Sequence, residues 1–197
     1  AGIPPRFLHV DLKSYLPQKG QESQQQVYAA IERFVRDYPA VPDNKGLLLL
    51  GSVGLGKTRL LCGIGNALLR KSEQLSLAYI DWNDLIREMG SGESAQNRSF
   101  SDINQLVQRL VGVDVLLFDE LGASRVSPWV HDYIYYIINK RYNHQKMILG
   151  ASNFLDRPGE RLSETLSQRL GERIRSRLYE MTQAMELTGV DYRRQYG

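Results

Sequence analysis

Cysteine is almost absent from this chain, with Cys62 alone among 197 residues. A single thiol forms no internal disulfide, so the fold must be held by its core, as expected of a protein from a reducing cytoplasm. Cys62 falls on an apolar helix just after a glycine-rich loop, where a small buried hydrophobe is expected. Long apolar runs are missing too. Nothing approaches the roughly 20 consecutive apolar residues that a membrane helix needs, and the N-terminus lacks the basic-then-apolar pattern of a secretory signal. We therefore expect a cytoplasmic protein without a membrane partner. No internal repeat is visible, and charge of either sign is nearly balanced, at a net +3. The whole excess lies between Arg157 and Leu178, where six arginines (157, 161, 169, 173, 175, 177) face three glutamates (160, 164, 172). Such a cluster is either a solvated helix face or a set of phosphate contacts.

What is present is enough for one core: 42% of the residues are hydrophobic, and the length suits a single α/β domain of residues 21–197 behind an N-terminal arm, residues 1–20, rich in proline and other breakers. Val27, Ala30, Ile31, Phe34, Val35 and Tyr38 recur at helical spacing before Pro39 and Pro42 end the helix. Strands are expected at Gly46–Leu50, Leu75–Ile80, Asp114–Phe118, Met147–Ala151 and Thr182–Thr188. Between them, helices are expected from Thr58 to about Arg70, over Trp82–Met89, from a cap at Ser101 or Asp102, from Ser127-Pro128, and over most of Leu162–Leu178. The helix after Pro128 would bury Trp129, Val130, Tyr133, Ile134, Ile137 and Ile138 as one wide face. Gly90–Arg98 has little to bury and reads as a mobile loop. Strands alternating with helices imply a parallel sheet flanked by helices, with any ligand at the carboxyl ends of its strands.

The most telling segment follows the first strand. Gly51, Ser52, Val53, Gly54, Leu55, Gly56, Lys57, Thr58 and Arg59 form a glycine-rich turn that closes on a lysine and a hydroxyl and leads into a helix. Its glycines let backbone N–H groups face phosphate oxygens, and the helix start adds a positive dipole. Lys57 would neutralise the β- and γ-phosphates, and Thr58 would offer its hydroxyl to Mg²⁺. This is the chemistry of a nucleoside-triphosphate cradle.

Two further strand ends carry polar groups. Val115-Leu-Leu-Phe118 delivers Asp119 and Glu120 to the edge where the loop sits. Successive strand residues point to opposite sides, so the two acids can take separate roles: Asp119 on the Mg²⁺ shell opposite Thr58, Glu120 on an attacking water. Asn153, after Ile148-Leu-Gly-Ala-Ser152, can both donate to and accept from a γ-phosphate or water, or can serve merely as a turn former.

In their order, the phosphate loop, Leu116-Leu-Phe-Asp-Glu-Leu-Gly122, Ser152-Asn153, Leu170-Gly-Glu-Arg-Ile-Arg-Ser-Arg-Leu178 and Asp191-Tyr-Arg-Arg194 make the chain resemble the AAA+ domain of DnaC/DnaI-type replicative helicase loaders. It is similar also to the IstB-like ATPases of transposition. The resemblance implies a P-loop NTPase fold with little or no C-terminal lid, binding ATP or ADP with Mg²⁺ and hydrolysing ATP slowly without a neighbouring subunit. It makes residues 51–58 Walker A, Asp119 and Glu120 Walker B, and Asn153 sensor 1. Arg177 matches the arginine finger that completes an adjacent subunit's site, with Arg173 one turn earlier as a substitute, and Arg193 matches the sensor 2 arginine. The implied partners are a replicative DNA helicase, contacted through an N-terminal region that this chain lacks, single-stranded DNA, held by the arginine-rich segment or by Arg98, and further copies of the chain across the ATP sites. The resemblance also admits a transposition helper acting on duplex DNA or a nucleotide-gated adaptor that does not hydrolyse. Adenine over guanine rests on it as well, since the Asn-Lys-x-Asp sequence of many GTPases is missing.

Overall fold

The structure is a computed structural model that describes residues 2–90, 99–157 and 164–192. Five strands, β1 (Gly46–Gly51), β2 (Leu77–Asp81), β3 (Val115–Asp119), β4 (Met147–Ser152) and β5 (Thr182–Leu187), form one all-parallel sheet in the order β2-β3-β4-β1-β5. Parallel strands need crossovers that cover both faces, and their sequences read accordingly as continuous apolar runs. In β1, Leu47 and Leu49 enter one core cluster while Leu48 and Leu50 enter the other; Val115/Leu117 and Leu116/Phe118 divide in the same way in β3. Each fully buried leucine contributes about 1.5–3 kcal/mol relative to an exposed one.

One face carries α1 (Glu22–Asp37) and α2 (Lys57–Lys71). The N-terminal arm joins them: Ile3, Leu12 and Tyr15 are buried in that core, and the arm's two short 3-10 turns lie against α2. The opposite face carries α3 (Trp82–Glu88), α4 (Phe100–Gly112), α5 (Pro128–Asn143), α6 (Leu166–Leu170) and α7 (Glu172–Met181). Among the described residues no helix is long and apolar enough to cross a membrane.

The expected elements are found, with ends shifted by one or two residues, and three details differ. The cap of α4 is Ser99 rather than Ser101 or Asp102: its hydroxyl accepts from the helix start while Asp102 reaches back to the Ser99 N–H, so Asp102 is the distal half of a capping box. The expected long helix after residue 162 is two helices separated by Gly171, and residues 158–163 lie outside the described ones, as do residues 91–98 of the loop expected at Gly90–Arg98. On α5, Val130, Ile134, Ile137 and Ile138 are buried as expected, but Trp129 stands 41% exposed, its ring edge-on to Tyr133.

At the amino edge of the sheet, the fully buried Arg141 of α5 donates to the carbonyls of Leu110, Val111, Val113, Asp114 and Met147 at 2.5–3.2 Å. One guanidinium thereby satisfies the open end of α4 and fixes it to the starts of β3 and β4.

Candidate nucleotide site

Because β1, β3 and β4 are parallel neighbours, the residues that follow them meet at one edge. The loop after β1 runs into α2 through Gly54 and Gly56, both in the left-handed region at φ 82° and 81°. A side chain at Gly56 would bring a Cβ within 2.9 Å of the Tyr15 ring, and at Gly54 within 1.9 Å of the Asp191 carboxylate. Only glycine satisfies both the backbone angles and the close packing. Leu55 between them is fully buried, pinning the turn to the core, while Ser52 and Val53 are exposed at its tip. Lys57 is itself buried and donates to the carbonyls of Gly51 and Ser52, each at 2.7 Å, so its ammonium lies folded over the concavity of the loop.

Asp119, at the end of β3, is 2% exposed. Its Oδ1 accepts the Glu120 N–H at 2.9 Å and its Oδ2 the Tyr79 hydroxyl at 3.0 Å, and the Thr58 hydroxyl bonds to the same carboxylate. Burial pushes the Asp119 carboxyl above the usual carboxylate range, opposed by these bonds from Thr58, Tyr79 and Glu120 and reinforced by the negative charge of Asp81. Burial, and next the Asp119 charge, push the Tyr79 phenol far upward, which keeps it an O–H donor. The same two causes raise the Cys62 thiol to about 12, so this cysteine is an inert core residue.

Glu120 turns the chain out of the sheet with a positive φ of 51°, a conformation that strains a residue with a side chain. The turn is held by Ala123 N–H to the Glu120 carbonyl at 2.9 Å and Leu121 N–H to the Ala151 carbonyl at 2.8 Å. On β4, the Ser152 hydroxyl donates to the Leu121 carbonyl at 2.6 Å, binding the two strand ends together. The register pairs Leu50 with Ser152, which sets the partly exposed Asn153 level with Gly51.

The remaining sequence candidates are scattered. Arg59 is exposed and donates to Ser14 of the arm at 2.9 Å rather than turning into the loop. Arg173 is exposed in the first turn of α7. Arg177, one turn on, lies against the Tyr142 ring, 4.1 Å from its centroid, and pairs with Glu180 at 3.4 Å. Since α7 runs directly into the start of β5 and Tyr142 ends α5 ahead of β4, this places Arg177 toward the amino edge of the sheet, away from its own phosphate loop. Of the arginine cluster, Arg157 pairs with Glu186, Arg169 with Glu164 and Arg175 with Asp156, so much of its charge is internally balanced. Arg98, Arg161 and Arg193 lie outside the described residues.

Two features had no warning in the sequence. Tyr79 reads there as one more apolar position of β2. The strap is the other: residues 188–192 cross the phosphate loop, with Tyr192 N–H bonded to the Gly54 carbonyl at 3.0 Å, and are tied to the arm through Gln18 and the fully buried Gln24. All four hydrogen bonds of the Gln24 amide stay within this seam, to Gln18 twice, to the Thr188 carbonyl and to the Tyr192 hydroxyl. Tyr15 completes it by donating to the Leu55 carbonyl at 3.2 Å.

The donor set suits a nucleoside triphosphate with a hard divalent cation: turned loop amides and Lys57 for the phosphates, and hydroxyl and carboxylate oxygens from Thr58 and Asp119 for the ion. Sheet order, loop and acidic strand end together define a P-loop NTPase domain of the AAA+ type. Residues 23–196 match the family model of the IstB-like ATP binding protein, and the chain belongs to that family.

Among known proteins it is similar to the replicative helicase loader DnaI of Bacillus subtilis (strain 168), 27% identical over 129 residues that make up 65% of this chain and 39% of DnaI. It is also similar to the phage-like element PBSX protein XkdC of the same strain, 25% identical over 89% of this chain and 62% of that one. The chain thus spans less than two thirds of the length of each of these relatives. Among solved structures, the DnaC helicase loader superposes with a TM-score of 0.75 at 29% identity, covering 94% of this chain and 100% of that one. DnaI follows with a TM-score of 0.74 at 27% identity and 94% coverage of both.

Proposed function

We propose that this chain is the ATP-hydrolysing AAA+ domain of a helicase loader, with residues 1–20 as an arm on the domain 21–197. In this role it uses the nucleotide to control assembly on, and release of, a replicative DNA helicase and single-stranded DNA in the cytoplasm. The observation that carries the reading is the meeting of Lys57, Thr58, Asp119 and Glu120 at one sheet edge while Arg177 faces away from it. The near-complete superposition on DnaC and DnaI helicase loaders supports the partner class.

In the proposed reaction the loop amides and Lys57 hold the triphosphate, and Thr58 and Asp119 hold Mg²⁺, which would neutralise charge on the phosphates. Glu120 accepts a proton from the water whose oxygen attacks the γ-phosphorus as the bond to the β–γ bridging oxygen breaks, giving ADP and phosphate. Asn153 orients that water as sensor 1. A guanidinium from a neighbouring copy, Arg177 or Arg173, stabilises the charge that develops on the γ-phosphoryl oxygens, and Arg193 acts on the same nucleotide as sensor 2.

The assay is a mixing experiment. Lys57→Ala should abolish nucleotide binding, Glu120→Gln should bind but not hydrolyse, and Arg177→Ala should bind with little turnover. Mixed Lys57→Ala and Arg177→Ala proteins should recover hydrolysis, because one supplies the arginine and the other the nucleotide. Full activity of Arg177→Ala on its own, at concentrations where the parent self-associates, would exclude Arg177 as the shared residue and turn attention to Arg173.

The family match keeps one second reading in view, an ATPase helper of DNA transposition. Filament formation on duplex rather than single-stranded DNA, and capture of a transposase rather than a helicase, would favour it. Phosphate contacts in either case require that DNA affinity fall steeply with salt.

A further inference from the structure

The β2–β3 register sets Tyr79 opposite Leu117 and Asp81 opposite Asp119, so Tyr79 and Asp119 emerge on the same face of the sheet two residues apart. The Tyr79 hydroxyl closes that gap with its 3.0 Å bond to Asp119 Oδ2. An ionised carboxylate has about four acceptor positions. Here three are filled, by the Glu120 N–H, the Tyr79 hydroxyl and Thr58, which fixes the plane of the group.

The geometry points to Tyr79 as a positioning residue for the nucleotide-bound divalent cation: its hydroxyl locks the Asp119 carboxylate in the orientation that meets the ion alongside Thr58. This rests on the Mg²⁺-nucleotide reading of the site. A phenylalanine would fill the same place against the core that holds Leu117 and Cys62, so packing alone gives the hydroxyl no purpose. With the Thr58 oxygen committed to the ion, Tyr79 and the Glu120 N–H would be the groups that hold the carboxylate still. A ligand that is already oriented loses less freedom on binding, and the benefit appears as metal affinity.

The test follows binding of a fluorescent ATP analogue to the 197-residue chain in EDTA and across a Mg²⁺ titration. Tyr79→Phe should bind the analogue in EDTA within twofold of the parent, melt within a few degrees of it, and need at least threefold more Mg²⁺ to reach half of the metal-dependent gain. Tyr79→Met, a second replacement without a hydroxyl, should shift the midpoint in the same direction. In an Asp119→Asn background, where the midpoint is already raised, adding Tyr79→Phe should raise it no further. An unshifted Mg²⁺ midpoint in Tyr79→Phe, or the same added shift in both backgrounds, overturns the inference. A parent whose nucleotide affinity ignores Mg²⁺ overturns the reading of the site itself, and this inference with it.

Discussion

Arg141 shows how much structure one side chain can organise. It is buried with no ion-pair partner among the described residues, and burial lowers its guanidinium to about 10, still protonated at neutral pH. Five carbonyl oxygens take the place of a counter-ion. Arg141→Met keeps the stem but strands those acceptors, each of which costs about 1–3 kcal/mol if left unpaired. Relief from burying a charge offsets part of this. We expect a net loss of about 3 kcal/mol in urea unfolding, with Arg141→Lys recovering only part of it, because an ammonium has three donors to a guanidinium's five. Asp114 next door gives a pH signature. The Lys146 ammonium, then the Ser76 hydroxyl, hold its carboxyl down at about 2 against an ordinary 3.8. A carboxyl depressed by folding stabilises above its unfolded value and loses that contribution as pH falls toward 2. Asp114→Asn should therefore lower the melting temperature more at pH 7 than at pH 2, where the carboxyl is already about half protonated; an equal drop at both would mean that the charge is irrelevant. None of this could be read from composition, since Arg141 and Asp114 look there like ordinary surface charges.

At the scale of single elements, the strands and the phosphate loop were legible because their signals are local. Four consecutive leucines before a glycine turn admit few alternatives to a buried parallel strand, and an apolar run ending in two acids marks β3 just as clearly. Helix starts were harder. Ser99, Ser101 and Asp102 all suit a cap, and what decides among them is the reciprocal bond of the capping box, a matter of geometry. Ser99→Ala should cost about 1 kcal/mol, the usual loss of a cap, whereas Ser101→Ala, already inside the first turn, should cost a few tenths at most. Chemical denaturation of both variants separates them. Trp129 shows the limit of periodicity: it is four residues from Tyr133 and one from Val130, but the fully buried apolar stripe runs through Val130, Ile134, Ile137 and Ile138, with Tyr133 partly buried beside it. A spacing pattern shows that a helix has an apolar side without giving its width.

Taken whole, the molecule has a three-layer body whose arm and residues 188–192 converge on the phosphate loop. The pattern of elements gave away the three layers. The seam between arm and strap left no trace in the sequence, because many of its hydrogen bonds, from Gln18, Ser23, Gln24 and Tyr192, join residues more than 160 positions apart. Gln24→Leu should remove four hydrogen bonds of the seam, two with Gln18 and one each with Thr188 and Tyr192, and loosen both segments together. Limited proteolysis should then cut near residues 16–20 and 188–192 at the same rate, while the parent resists at both. Cleavage of only one segment would mean that the two are held independently. Under a mechanical load applied to its two ends, this arrangement predicts an order of rupture: the side-chain clasp opens first, uncovering the nucleotide loop at low force, and the main-chain ladder between β5 and β1 shears only afterward.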